Sequence, residues 1–325
     1  MARRLQSHTI RQFLRSFSSA SGGSNNGGGK WNSPPSLSTP SPSSSYTTAP
    51  LPREKRSPSY AKLPPLNEEL PGLPGAVYSQ LSQESDPFQT DITTLSNGIK
   101  VATEAKFGEY CTIGVVIDAG SRYEVGYPSG VSHFLEKLAF NSSEHFSSRR
   151  DVHTLLELHG GICDAQAAKD TFIYAASCHV SGLDQVVGLI ADCLLRPKIT
   201  QEEIESTAQT VRFELDDMHR RPDCEPILLD WIHSAAYKEN TLGLPKYCTK
   251  DTVAKISRRV LLSFLKTYFT PNRMVFSGVG VPHDELLRSV QRHFVDKPAV
   301  WESDSSIAPS EVDESLAQYT GGIVK

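Results

Sequence analysis

Residues 162–195 read ICDAQAAKDTFIYAASCHVSGLDQVVGLIADCLL. Ile162 to Ala167 and Thr171 to His179 are short runs joined by a polar turn, which predicts a pair of strands. Immediately after them, Leu183 to Leu195 carries the helical period as an amphipathic helix, and Pro197 stops it. Two strands therefore pair before any helix intervenes. That grouping disfavours a doubly wound nucleotide fold, in which strands and helices alternate. Gly278-Val279-Gly280 lacks the third glycine of a dinucleotide-binding turn, which agrees.

The same grouping extends outward in both directions. Upstream, Ile92 to Leu95 and Ile99 to Thr103 flank Ser96-Asn97-Gly98, a hairpin signal because Asn-Gly supplies positive φ angles. Cys111 to Ala119 is a buried strand of β-branched residues. Gly130 to Phe140 and Arg150 to His159 are helices, the second closed by Gly160-Gly161. Downstream, Thr200 and Glu203 form a capping box that opens a helix running to about Met218. Pro226 to Tyr237 and Val253 to Tyr268 are further helices, Arg273 to Gly280 a strand, and Asp284 to Phe294 a closing helix. Trp231, Ile227, Leu228 and Ile232 are read as helix core. The predicted class is α+β: a mainly antiparallel sheet with helices packed on one face.

The chain has 325 residues and a formal net charge of −4. That total divides unevenly. Residues 1–60 hold eight Lys/Arg and one acid, a sum of +7, and the remainder holds 25 bases and 36 acids, a sum of −11. An acidic body excludes a general nucleic-acid binder. No run of eighteen apolar residues occurs, so no helix spans a membrane. In the basic head, Ile10, Phe13, Leu14 and Phe17 share one helical face, with Arg4, Arg11 and Arg15 opposite. An amphipathic, Arg-rich, acid-poor start predicts a mitochondrial transit peptide over residues 1–17, with Arg15, Phe17 and Ser18 marking a candidate cleavage site. Loss of that segment would take the net charge from −4 to about −8 by subtracting four arginines. From Ser18 to Ser59, 13 Ser, 7 Pro and 5 Gly make up 25 of 42 residues, a composition that predicts a disordered linker, drawn here over residues 18–75. The folded domain is placed at 76–300 and a further linker at 301–325. The six cysteines contain no C-x-x-C pair and are read as core fillers of a reduced compartment.

The chemistry is concentrated in residues 130–140, GVSHFLEKLAF. An H-x-x-E-H helix presents two histidines on one face to a zinc ion, with the glutamate beside them to polarise a bound water. Here His133 and Glu136 stand in that pattern, and Lys137 occupies the second histidine's place. A protonated amine has no lone pair for a metal and brings a positive charge of its own. From residue chemistry alone two readings stand: a degenerate metal site, or ordinary residues of a helix.

The segment resembles the inverted zinc motif of the pitrilysin/insulinase metallopeptidase family. So do the stretches Thr93–Ala102, Ala119–Glu124, His159–Asp164, Asn272–Val275 and Ala317–Gly322. The resemblance implies a pitrilysin/insulinase-like half. It also implies that Glu214 matches the family's downstream ligand. His133, Glu136, Lys137 and Glu214 then form a metal site that has lost its metal, with no intact catalytic set. Within the family the likeness is to the non-catalytic, alpha-type subunits of heterodimeric presequence-processing peptidases. The implied partners are a zinc-bearing beta subunit and Arg-rich presequence peptides, in the mitochondrial matrix or against the inner membrane. No cofactor is expected in this chain. Two alternatives are a core structural subunit of the respiratory cytochrome bc complex and an active zinc endopeptidase. The glycine-rich loop of the family's second half does not occur after residue 30, so residues 301–325 are expected to lead toward a missing second half. If Lys137 and Glu214 face each other, the ammonium would stand in for zinc and neutralise both Glu136 and Glu214. The acidic residues Glu202, Glu203, Glu205, Glu214, Asp216 and Asp217 lie on one helical segment, which is read as a solvated helix face.

Overall fold

The computed structural model describes residues 89–323, apart from 221, 223, 224, 239 and 313–316. The expected transit peptide, its cleavage residues Arg15, Phe17 and Ser18, and the whole of the expected 18–75 linker lie outside the described residues.

Local turn chemistry builds the first hairpin. Strand β1 (Thr90–Thr94) turns into β2 (Lys100–Glu104) through Asn97-Gly98. Gly98 takes φ 97°, and the Asn97 carboxamide oxygen accepts from the Ile99 N–H at 3.1 Å. Strand β3 (Tyr110–Ile117) is followed by helix α1 (Val131–Leu138) and helix α2 (Arg149–Leu158). Strands β4 (Ile162–Ala167) and β5 (Phe172–His179) then form the expected hairpin. Helices α3 (Leu183–Leu195), α4 (Gln201–Met218), α5 (Glu225–Ala236) and α6 (Arg258–Tyr268) follow. Strand β6 (Met274–Val279) and helix α7 (His283–Val290) complete the core, and a π-helical turn carries α7 on to Val295.

The six strands lie in the order β1-β2-β6-β3-β5-β4. Four of the five pairings are antiparallel, and β2 with β6 is parallel. Register explains the one-sided core. Val101, Phe276, Val115 and Tyr174 lie side by side across β2, β6, β3 and β5 and belong to the apolar cluster. Their chain neighbours Ala102, Ser277, Val116 and Ala175 point to the other face, as period-2 alternation requires, and stand outside that cluster. Helix α3 differs from the amphipathic reading: ten of its thirteen residues are buried. A helix that is apolar almost all round is a central one. Each large side chain it buries contributes about 1.5–3 kcal/mol.

Three expectations are corrected. The continuous helix over 253–268 is broken. A single turn at Lys250–Val253 ends, and α6 starts afresh because the Ser257 side chain caps it by accepting from the Val260 N–H. Helix α5 is not core: none of its residues is fully buried, and Leu228, Leu229, Trp231 and Ile232 are about half exposed. Ile227, Asp230 and His233 are its better-covered side. Its polar Asp230 therefore faces the body, where it accepts from Lys169 Nζ at 2.7 Å. Finally, the packed body runs past residue 300. Trp301 and Ile307 are buried, Ser263 donates to the Ala308 carbonyl, and the Ser310 N–H donates to Thr267 Oγ1.

Candidate functional site

Helix α1 begins where the chain must come very close to a distant loop of its own. Gly130 has φ 88°, and a Cβ there would lie 2.4 Å from the Cys248 Cα. The first turn of α1 has no side-chain cap from its own N-cap residue. Glu124 supplies one from across the preceding loop. Its carboxylate accepts from the Gly130 and Ser132 N–H groups, both at 2.6 Å. Glu124 is buried, and burial pushes its pKa up to about 7 against the opposing pull of those hydrogen bonds. The sequence reading quoted this residue within Ala119–Glu124 but gave it no role.

With that end fixed, His133, Glu136 and Lys137 project from one face of α1 at i, i+3 and i+4. Across from them, α4 supplies Glu214. The structure brings all four together. Lys137 Nζ donates to Glu214 Oε1 at 2.8 Å and lies 3.2 Å from Glu136 Oε1. Glu136 also accepts from the Ala167 N–H at 2.7 Å, which ties α1 to β4. Glu214 Oε2 meets His133 Nε2 at 3.2 Å. Burial disfavours the charge on Glu214, but hydrogen bonds from His133 and Lys137 outweigh it and hold the carboxyl at a pKa of about 2. Burial likewise disfavours the Lys137 ammonium, and the bond to Glu214 with the charge of Glu136 reverses the sign, raising its pKa.

The histidine's other nitrogen settles its tautomer. The Cys248 N–H donates to His133 Nδ1 at 3.3 Å, so Nδ1 is the acceptor and Nε2 carries the hydrogen toward Glu214. The ring is packed edge-on against Tyr247 at 5.2 Å between centroids. This donor set does not fit a zinc ion. A metal on Nε2 leaves the hydrogen on Nδ1, where it would oppose the Cys248 N–H. The ammonium of Lys137 occupies the neighbourhood in which both carboxylates would otherwise meet a cation. A catalytic zinc requires three protein ligands and an open position, and only His133 and Glu214 remain as candidates.

Beside the four residues opens a cleft of about 440 Å³ whose lining includes Glu136, Lys137, Arg149, His153, Asp164 and Thr210. It is polar and lies along β4, one of the two outer strands of the sheet.

Other acidic residues of α4 have partners of their own or face solvent. Glu203 completes the capping box with Thr200 and also accepts from the Ser142 N–H at 2.9 Å. Asp216 pairs with Lys250 at 2.7 Å, while Glu202 and Glu205 are exposed. Elsewhere, Glu144, His145 and Asp192 bring ligand-type atoms together. Asp192 is already committed there: it accepts from Ser143 Oγ, from the N–H and Nδ1 of His145, and from Arg196 Nε. The sequence reading missed this knot because its members come from a loop and a helix nearly fifty residues apart.

Two family profiles cover the body. Insulinase (peptidase family M16) matches residues 100–250, and the peptidase M16 inactive domain matches 255–325. The mitochondrial-processing peptidase subunit alpha of Pongo abelii is 49% identical over 261 residues, which is 80% of this chain and 49% of that protein. A ubiquinol-cytochrome-c reductase complex core protein I of Euglena gracilis is 34% identical over 202 residues, 62% of this chain and 40% of that one. The chain thus spans about half the length, or less, of these curated relatives. A crystal structure of a protease from Helicobacter pylori shares the fold, with a TM-score of 0.58, 20% identity, and coverage of 69% of this chain and 54% of the other.

Proposed function

The chain belongs to the insulinase family of peptidases, M16, and from that membership we propose that it acts as a non-catalytic alpha-type subunit of a mitochondrial processing peptidase. In this role it helps a zinc-bearing beta subunit remove presequences from imported proteins. The observation that carries the reading is the Lys137 ammonium bonded to both Glu136 and Glu214. His133, Glu136, Lys137 and Glu214 are then a metal site converted to an internal ion network. It positions α1 against α4 and does no chemistry. Arg-rich presequences would meet a body that carries a net −11 beyond residue 60, and complementary charge accelerates such encounters. The matrix is the compartment this role requires, reached by a transit peptide at residues 1–17.

The test combines the purified chain with a beta-type subunit and a fluorogenic presequence peptide. The chain alone is expected to leave the peptide intact, and to bind the beta subunit in a pull-down. Cleavage by the chain alone, with one zinc per molecule by atomic absorption, would overturn the assignment. The likeness to a cytochrome-complex core protein favours a second reading, a structural subunit of a respiratory complex. Co-purification with membrane cytochromes, in place of a heterodimer, would select it.

A further inference from the structure

We propose that Cys111 and Cys178 form a redox-responsive thiol pair that closes to a disulfide on two-electron oxidation by a hydroperoxide. The two residues are directly opposed on β3 and β5. Their sulfurs lie 3.7 Å apart, and both side chains are buried. The Val180 N–H donates to the Glu109 carbonyl at 2.9 Å. Hydrogen-bonded and non-hydrogen-bonded pairs alternate along an antiparallel ladder, so the Cys111–Cys178 pair is again a hydrogen-bonded one. Such pairs hold their Cα atoms about 5.5 Å apart. Disulfides span roughly 5.5–6 Å between Cα atoms most often. The strands therefore already present the two cysteines at bridging distance, and only the side chains need to turn.

The pair is also unsymmetrical, as a peroxide-reacting pair must be. With Cys178 as the donor of the sulfur–sulfur hydrogen bond, which either sulfur can give, the thiolate of Cys111 is stabilised and its pKa lowered, while that of Cys178 is raised. Cys111 is then the nucleophile and Cys178 the resolving thiol. The Cys111 thiolate attacks the peroxide O–O bond, forming a sulfenic acid and releasing hydroxide (or alkoxide). The Cys178 sulfur displaces the sulfenic hydroxyl, its proton leaves with that oxygen as water, and the S–S bond forms. Two thiols are oxidised and one peroxide is reduced. Tyr110, the residue before Cys111 at the start of β3, is largely exposed. The remaining described cysteines lack this arrangement. Burial pushes Cys163 up to about 11 and Cys248 up to about 12, and it raises Cys193 too, with a further push from the nearby Cys163; Cys111–Cys178 is the sulfur–sulfur hydrogen bond found among the described residues.

The bridge would join positions 67 residues apart. The loop it closes contains α1, α2 and β4, and so three of the four site residues. Oxidation would thus fasten the segment that bears His133, Glu136 and Lys137.

The test treats the fully reduced full-length chain with excess hydrogen peroxide, blocks remaining thiols with N-ethylmaleimide under denaturing conditions, and maps peptides by mass spectrometry. The expected result is a Cys111–Cys178 linked peptide, reversed by dithiothreitol, with a higher melting temperature for the oxidised chain. In Cys178→Ala the link is absent and a dimedone adduct accumulates on Cys111; in Cys111→Ala neither forms at Cys178. Full maleimide labelling of both cysteines after peroxide, or linkage of either one to a different cysteine, would overturn the proposal. So would faster dimedone labelling at Cys178 than at Cys111.

Discussion

One nitrogen atom decides what the meeting of α1 and α4 can do. Lys137 Nζ lies between two carboxylates, and removing it leaves like charges facing each other in a half-buried cluster. Lys137→Ala is expected to cost about 2–3 kcal/mol, less than a fully buried pair because solvent screens part of it. Lys255→Ala, at an exposed position, should cost under roughly 0.5 kcal/mol. Urea denaturation of both variants checks the contrast, and equal midpoints would remove Lys137 from its bridging role. Glu214 gives a second expectation. Its folded pKa is depressed to about 2 from the ordinary value of 4.5. Its stabilisation is therefore present above about pH 4.5 and is lost as pH falls toward 2. The stability gap between wild type and Glu214→Gln should narrow across that window in acid titrations. Lys137→His offers the reverse comparison. The added imidazole supplies a third ligand type, but His133 Nδ1 still faces the Cys248 N–H. Zinc uptake by calorimetry should stay substoichiometric until that contact is broken. At this scale the sequence was informative where spacing is local: 133, 136 and 137 share a helix face by arithmetic. The partner on His133 Nδ1 was hidden because it comes from a loop 115 residues further on.

At the scale of elements, the clearest dependence is that of α1 on Glu124. Glu124→Ala removes the acceptor of two buried N–H groups and should cost about 2–4 kcal/mol. Glu124→Gln keeps an acceptor and should cost less. The folded pKa is raised to about 7 from 4.5, so the folded chain holds this proton more firmly than the unfolded chain. Stability accordingly falls as pH rises from about 4.5 to 7, and Glu124→Gln should flatten that part of the profile in thermal melts. Most helices and strands were legible from periodicity, caps and turns: α4 starts at its capping box and ends at Met218 as expected. Helix α5 was misread for a physical reason. Periodicity reveals which stripe of a helix is apolar, but not which stripe faces the body. Here Asp230 turns inward to Lys169 and leaves Trp231 outside. The break before α6 was missed because Ile256 and Val253 are both buried and keep the apolar rhythm across the interruption.

For the molecule as a whole, the sequence pointed to hairpins and to a sheet covered by helices on one side, and the register of β2, β6, β3 and β5 agrees. It did not reveal that β6 lies between β2 and β3, since no local pattern reports which distant strand will be a neighbour. That position carries a cost in folding order. Until Met274–Val279 is available, the β1–β2 hairpin has no other strand to join, and β3 keeps one edge unpaired. A chain cut after residue 270 is expected to lose protection in limited proteolysis throughout residues 90–180, not only near the cut. A chain emerging end-first from a ribosome, or from a narrow pore, would have to wait with an open seam down the middle of its sheet. The strand that closes it is the last of the six to arrive, and during that interval the seam is where a chaperone, or a stray strand from another molecule, would find its opening.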